Sequence, residues 1–228
     1  LFEDLELVVT CRQEAQTFHV EEEDMTQTIV TPELIKQTTA FHGHWCPGLA
    51  IGIRAAEWAM KEMGTAADEE IVAVVETDMC GVDAIQFLVG CTFGKGNLIH
   101  RDYGKNAFSF YRRRDGKSAR LVGRPALFGD AGQTLGKLHR KMQKEGLTEE
   151  EEKLWQDTRA AVSTRVMESP LDELFEVKEA TELAPRKARI HDSVICESCG
   201  ESVMETRVRR MHEKLFCMPC FENAEKQI

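Results

Sequence analysis

The sequence predicts an α+β core followed by a small, cysteine-organised domain at the C-terminus. Three observations carry that expectation. Helix-like and strand-like segments follow one another in mixed order and include a hairpin, which favours α+β over a doubly wound sheet. The 228 residues amount to about one and a half domains at roughly 150 residues each. Finally, two Cys-x2-Cys pairs, Cys196/Cys199 and Cys217/Cys220, stand 17 residues apart near the end of the chain. The expected division is an N-terminal extension over 1–29, the core over 30–184 and the small domain over 185–228.

Thr31-Pro32-Glu33 opens a short helix: a capping hydroxyl, proline at the first helical position and an acid in the first turn. It runs to about Ala40 and delivers the chain into Phe41-His42-Gly43-His44-Trp45-Cys46-Pro47-Gly48. From there to Gly64, Leu49, Ile53, Ala56, Met60 and Met63 form one apolar stripe at helical spacing, with Glu57 and Lys61 an i,i+4 pair on the other side. Ile71–Thr77 is a β-branched run of the kind buried on both faces of a sheet. Asp78-Met79-Cys80-Gly81 then leads into a helix at about Val82–Val89, and a glycine-rich loop spans Gly90–Gly96. Ala107–Arg113 and Ser118–Val122 flank Asp115-Gly116 as a hairpin with Phe108 and Phe110 on its buried face. Thr148 and Glu151 make a capping box that opens a long helix to about Glu168. A short strand near Leu174–Lys178 and a proline-marked junction precede the cysteine pairs.

The cysteine spacing is that of a four-thiolate zinc site. Two thiolates three positions apart in a tight turn both reach one tetrahedral ion about 2.3 Å away, and Gly200 supplies the first turn. A knuckle, a hairpin and a terminal helix beginning near the second pair resemble a treble-clef finger. So short a segment has little core of its own, so Zn2+ is expected to supply much of its stability. Residues 185–228 hold eight Lys or Arg and seven Asp or Glu, with Arg207, Arg209 and Arg210 the one basic cluster. That balance favours a structural or protein-contact role over nucleic-acid binding.

A second constellation lies in the core. His42, His44 and Cys46 fall at i, i+2 and i+4, which in extended backbone point to one side, as ligands of a single metal must. Pro47 makes Cys46 the expected N-cap of the second helix, where the dipole and free N–H groups favour a thiolate. Cys80 stands in the same kind of place before the next helix, flanked by Asp78 and Asp83. The set supports two kinds of chemistry: a second transition metal on His42, His44 and Cys46, or a Cys46 or Cys80 nucleophile with His44 as base. Lys95 and the Gly90–Gly96 amides offer a place for an anion, with Asp78 and Asp83 on the cofactor side. The loop fails the phosphate-loop count, however, so a tight turn is the better expectation.

Composition narrows the classes. A net charge of −10 argues against a whole-surface nucleic-acid binder, although residues 95–124 concentrate nine Lys or Arg against two Asp. That run is either a solvated hairpin face or a docking surface for an anion. No stretch approaches the ~18 apolar residues of a membrane span, and no membrane partner is expected. The acidic first thirty residues lack a signal-peptide pattern, so a cytoplasmic location with reduced thiols is expected.

Four ordered motifs then resemble the FmdE family, named for formylmethanofuran dehydrogenase, over roughly residues 30–180. They are Phe41-His42-Gly43-His44-x-Cys46-Pro47-Gly48, Glu76-Thr77-Asp78-x-Cys80-x-x-Asp83-Ala84-Ile85-Gln86, Gly90–Leu98, and Asp102-Tyr103-Gly104-Lys105-x-Ala107-Phe108. The resemblance implies an α+β core, often an intertwined dimer, with a C-terminal treble-clef finger in some members. It implies a functional cleft near His42, His44, Cys46 and Cys80. The family takes its name from a molybdenum or tungsten enzyme that makes formylmethanofuran, chemistry that the FmdE component does not itself perform. The leading expectation is therefore a homodimeric, metal-binding accessory protein, associated with a larger redox or molybdenum/tungsten complex. A stand-alone metal- or thiol-dependent enzyme and a nucleic-acid-binding regulator are the alternatives.

Overall fold

The computed structural model describes residues 29–226; the expected N-terminal extension lies almost wholly outside them. Helix α1 (Pro32–His42) is capped by Thr31, whose hydroxyl accepts from the Leu34 amide. Helix α2 (Pro47–Glu62) buries eleven of its sixteen residues, because its small and aliphatic stripe lies under the sheet. The sheet has five strands in the order β2-β1-β3-β4-β5, where β1 is Ile71–Val75, β2 Leu98–His100, β3 Ala107–Arg112, β4 Ser118–Gly123 and β5 Phe175–Lys178. Only β1 and β2 are parallel; the other pairings are antiparallel. The expected α+β architecture is therefore present.

One face of the sheet carries Ile71, Ala73, Val75, Phe108, Phe110 and Leu121 into the main core against α2, α5 (Glu149–Glu168) and their neighbours. Phe108 and Phe110 are fully buried, as the alternation predicts. The other face holds a smaller cluster of Val72, Val74 and Tyr111, joined by Ile99 and Ala180. The stretch after β5 lies along this second face, with Glu182 on Arg101 and the Pro185 carbonyl accepting from Arg113.

The parallel β1–β2 pair needs a crossover, supplied by α3 (Gly81–Ala84) running into a π-helical turn, Ile85–Val89. The single helix expected over Val82–Val89 is thus one α-turn widened into a π-turn. Strand β2 and helix α4 (Ala131–Glu145) are additions to the elements expected. Helix α4 pairs with α5, whose capping box is formed on both sides by Thr148 and Glu151. A short α6 (Leu171–Leu174) leads into β5.

Beyond residue 190 two small hairpins, β6–β7 (Ser193–Ile195, Ser202–Met204) and β8–β9 (Val208–Met211, Lys214–Cys217), precede α7 (Met218–Glu225). Among the described residues no helix is long and apolar enough to cross a membrane.

Candidate metal centre

The core constellation assembles at the carboxyl end of β1, where a β–α connection opens a crevice. His42 is the last residue of α1, and Gly43 turns the chain with φ 94°, its amide bonded to the Thr39 carbonyl at 2.8 Å. Cys46 is the N-cap of α2, and its sulfur accepts the Leu49 amide at 3.4 Å. The route that brings His42, His44 and Cys46 together is thus helix end, left-handed glycine, helix start. The extended i, i+2, i+4 strand expected from the spacing is replaced by this turn, because both flanking segments are helical to within a few residues.

Cys80 arrives from the loop after β1. Its approach depends on small residues: a Cβ on Gly52 would stand 2.2 Å from the Gly81 carbonyl oxygen, and one on Gly48 would stand 3.2 Å from Cys80 Cβ. Helices α2 and α3 therefore touch backbone to backbone, and Cys80 lies next to Cys46. The ligand-capable atoms of His42, His44, Cys46 and Cys80 all lie within 4.8 Å of one another. Ligands bound at 2.0–2.3 Å in a tetrahedron stand roughly 3.3–3.8 Å apart, so the four side chains are close to that arrangement.

Hydrogen bonds set the orientation of His42. Its Nδ1 lies 2.7 Å from Asp83 Oδ2, which leaves Nε2 facing Cys46 Sγ at 4.0 Å. Gln86 donates to the other oxygen of Asp83 at 3.2 Å. A histidine held by a carboxylate on one nitrogen presents the other as a lone pair, the usual outer-sphere device of metal-binding histidines. His44 is exposed, and its ring stands 4.4 Å from that of His42. Burial raises the Cys80 thiol above its ordinary value, and the neighbouring Cys46 pushes it the same way. Cys80 is at the N-cap position of α3 but makes no capping bond, so the expected dipole activation is absent there.

A cleft of about 450 Å³ opens beside the cluster, lined by His42, Asp78, Cys80, Asp83, Phe93 and His100 among others. Asp78 is at its exposed edge. Gln86, Phe93 and His100 line the cleft without having been marked as site residues by any sequence pattern considered above. Gln86 follows Asp83 by three, so helical spacing could have found it; His100 sits at the end of a three-residue strand with no pattern to mark it.

Lys95 is elsewhere. Its ammonium reaches the Ala66 carbonyl at 3.5 Å, towards the start of β1 and away from the cluster. The amides of Thr92, Lys95 and Gly96 bond to Asn97 Oδ1, Thr92 Oγ1 and the Phe93 carbonyl. The loop is a closed turn organised by the buried Asn97, and it leaves no free amide cradle for an anion.

In the C-terminal domain the sulfurs of Cys196, Cys199, Cys217 and Cys220 also lie within 4.8 Å of one another. Cys196 accepts the Cys217 amide at 3.3 Å. The Cys199 and Cys217 amides hold its thiol down to about 6, which favours the thiolate a metal requires.

Comparison with known proteins bears on both regions. Residues 41–176 match the family model described as FmdE, Molybdenum formylmethanofuran dehydrogenase operon. The chain belongs to the FmdE family. Residues 192–226 match the prokaryotic dksA/traR C4-type zinc finger, so the FmdE core is followed by a zinc finger whose four cysteines are those above. The chain is similar to the crystal structure of an FmdE-like protein of tungsten formylmethanofuran dehydrogenase from Syntrophus aciditrophicus. Identity there is 26%, covering 84% of this chain and 92% of that one, with a TM-score of 0.56. It is also 35% identical over 191 residues to a probable S-adenosyl-L-methionine-binding protein of Archaeoglobus fulgidus. That match covers 77% of this chain but spans only half the relative's length.

Proposed function

We propose that this FmdE-family chain is a metal-binding accessory protein whose core holds a second metal ion besides the zinc of its finger. His42 Nε2, Cys46 Sγ and Cys80 Sγ are the fixed ligands, and the exposed His44 is the exchangeable fourth. The observation that carries this reading is the 2.7 Å contact between His42 Nδ1 and Asp83, which aims the remaining ring nitrogen at the two thiols. A mixed imidazole–thiolate set suits Zn2+ or another borderline transition metal. The exposed fourth position gives a ligand in the neighbouring cleft a route to the ion. The raised Cys80 thiol supports ligand over free nucleophile, because an unactivated thiol is protonated near neutral pH.

The exposed aromatics Phe41, Trp45 and Phe87 beside the cluster support assembly, as a homodimer or within a larger redox complex. The finger, read as a treble clef from its knuckle, hairpin and helix, would serve that contact.

Cobalt(II) reconstitution tests the core site. The full chain should show a tetrahedral spectrum of mixed sulfur–nitrogen character in addition to the four-sulfur spectrum of the finger. Only the first should vanish in Cys46→Ser. A single four-sulfur spectrum, unaffected by that change, would contradict the reading.

A second reading concerns the cleft. Two carboxylates, Asp78 and Asp83, and the exposed ring of Phe93 line it. Acids and an aromatic face suit a sulfonium cation, which is the chemistry in the name of the Archaeoglobus relative. Calorimetric titration with S-adenosylmethionine should give binding that Asp78→Asn/Phe93→Ala weakens; no heat of binding would remove this reading.

A further inference from the structure

The basic run over 95–124 has a structural resolution that the core metal site does not use. Most of its cations are tied to the scaffold. Arg112 holds Asp115 and the Glu62 and Met63 carbonyls, Arg113 the Glu69 and Pro185 carbonyls, Lys117 Glu62, and Arg124 the Asp172 carbonyl. Three others, Arg101, Lys105 and Arg120, converge on a groove of about 250 Å³ on the second face of the sheet. The stretch after β5 forms its outer wall.

Within the groove the charges are unequally matched. Arg120 is taken by Glu76, a 6% exposed carboxylate that accepts its Nε and Nη2 at 2.6 and 2.8 Å. Arg101 is held by Glu182, a half-exposed carboxylate on the strap after β5. Lys105 has no ion-pair partner among the described residues, and its ammonium stands 5.9 Å from the Tyr103 ring. Tyr103 and Tyr111 add phenolic walls. One cation is thus unpaired and a second is paired only by a surface side chain from a segment without secondary structure, the kind of ion pair that contributes little and exchanges easily.

We propose that this groove is a binding site for a small anion, a carboxylate or phosphate group, held by Arg101 and Lys105 in competition with Glu182. In the unliganded chain the strap carboxylate stands in for the ligand's. The groove lies back to back with the metal cleft, since Val74 and Glu76 face one and Val75 and Thr77 the other. The proposal does not depend on the core metal.

The test is calorimetric titration of inorganic phosphate, and separately of acetate, into the full metal-loaded chain at low ionic strength. The pair of probes separates a phosphate-bearing from a carboxylate-bearing source. Wild type should show one saturable event. Glu182→Gln should tighten it at least threefold, whereas Arg101→Gln and Lys105→Gln should each weaken it at least fivefold with unchanged thermal unfolding. Glu179→Gln, a groove carboxylate without an ion pair to either cation, should change it less than twofold. His44→Ala/Cys46→Ser should leave it intact. Absence of saturable binding in Glu182→Gln, equal tightening by Glu179→Gln, or loss in the core variant would each overturn the proposal.

Discussion

Asp83 and His42, forty-one residues apart in sequence, meet at 2.7 Å between Oδ2 and Nδ1. The contact ties the end of α1 to α3 and fixes which imidazole nitrogen faces Cys46 and Cys80. A lone histidine at a helix end swings through several rotamers; one anchored by a carboxylate does not.

Asp83→Asn should therefore weaken the core metal site without unfolding the chain. Loss of an outer-sphere carboxylate typically costs 10–100-fold in metal affinity. Competition with a chromogenic chelator measures it, and affinity equal to wild type would show that the contact does not orient a ligand.

The glycine contact between α2 and α3 makes a second expectation. Gly52→Ala puts a methyl 2.2 Å from the Gly81 carbonyl, so α3 must move. Overpacking of this kind costs about 1–3 kcal/mol. The displacement carries Cys80 away from Cys46, so core metal affinity should fall along with the denaturation midpoint. Unchanged values of both would mean that the helices separate freely.

The Arg120–Glu76 pair predicts a pH dependence. Hydrogen bonding to Arg120 holds the Glu76 carboxyl below the ordinary glutamate range despite its burial. A carboxyl depressed in the folded state stabilises fully above its unfolded value, about 4.3, and that contribution disappears as pH falls through the lower folded value. Glu76→Gln should destabilise by about 1–3 kcal/mol at pH 7, and the difference from wild type should shrink below pH 4. Denaturant unfolding at both pH values reads it; a difference independent of pH would rule out the ionised pair as its source.

Chelation should act on the finger first. Its hairpins bury few apolar side chains, so removal of zinc with EDTA should abolish amide protection over 193–226. The buried amides of β1 and β3 should stay protected. Retained protection in the finger would show that its fold does not depend on metal.

Much of this architecture is legible in the sequence, for reasons that also explain the gaps. Thr31-Pro32, Cys46-Pro47 and the Thr148/Glu151 box are local signals, and each marks a helix start. The Phe108 and Phe110 alternation places both rings in the core. Helix α4 escapes the pattern because Gly132 and Gly136 dilute a stripe of Leu135, Leu138 and Met142. Strand β2 is three residues long and exists through its parallel partner, a non-local cause. At the site, residue types are readable from 42–46 and 80, but only the position of its amine on Ala66 excludes Lys95. The π-turn after α3 and the convergence of Cys80 on Cys46 depend on backbone contact between Gly52 and Gly81, which no periodicity encodes.

The central claim is that the chain carries two metal ions, one in each cysteine-bearing cluster. Elemental mass spectrometry on protein purified without a metal-affinity step tests it most directly. Wild type should hold two ions per chain. His44→Ala/Cys46→Ser should lose the core ion alone, and Cys196→Ser/Cys199→Ser the finger zinc alone. One ion per wild-type chain, lost only in the finger variant, would contradict a metal centre in the core.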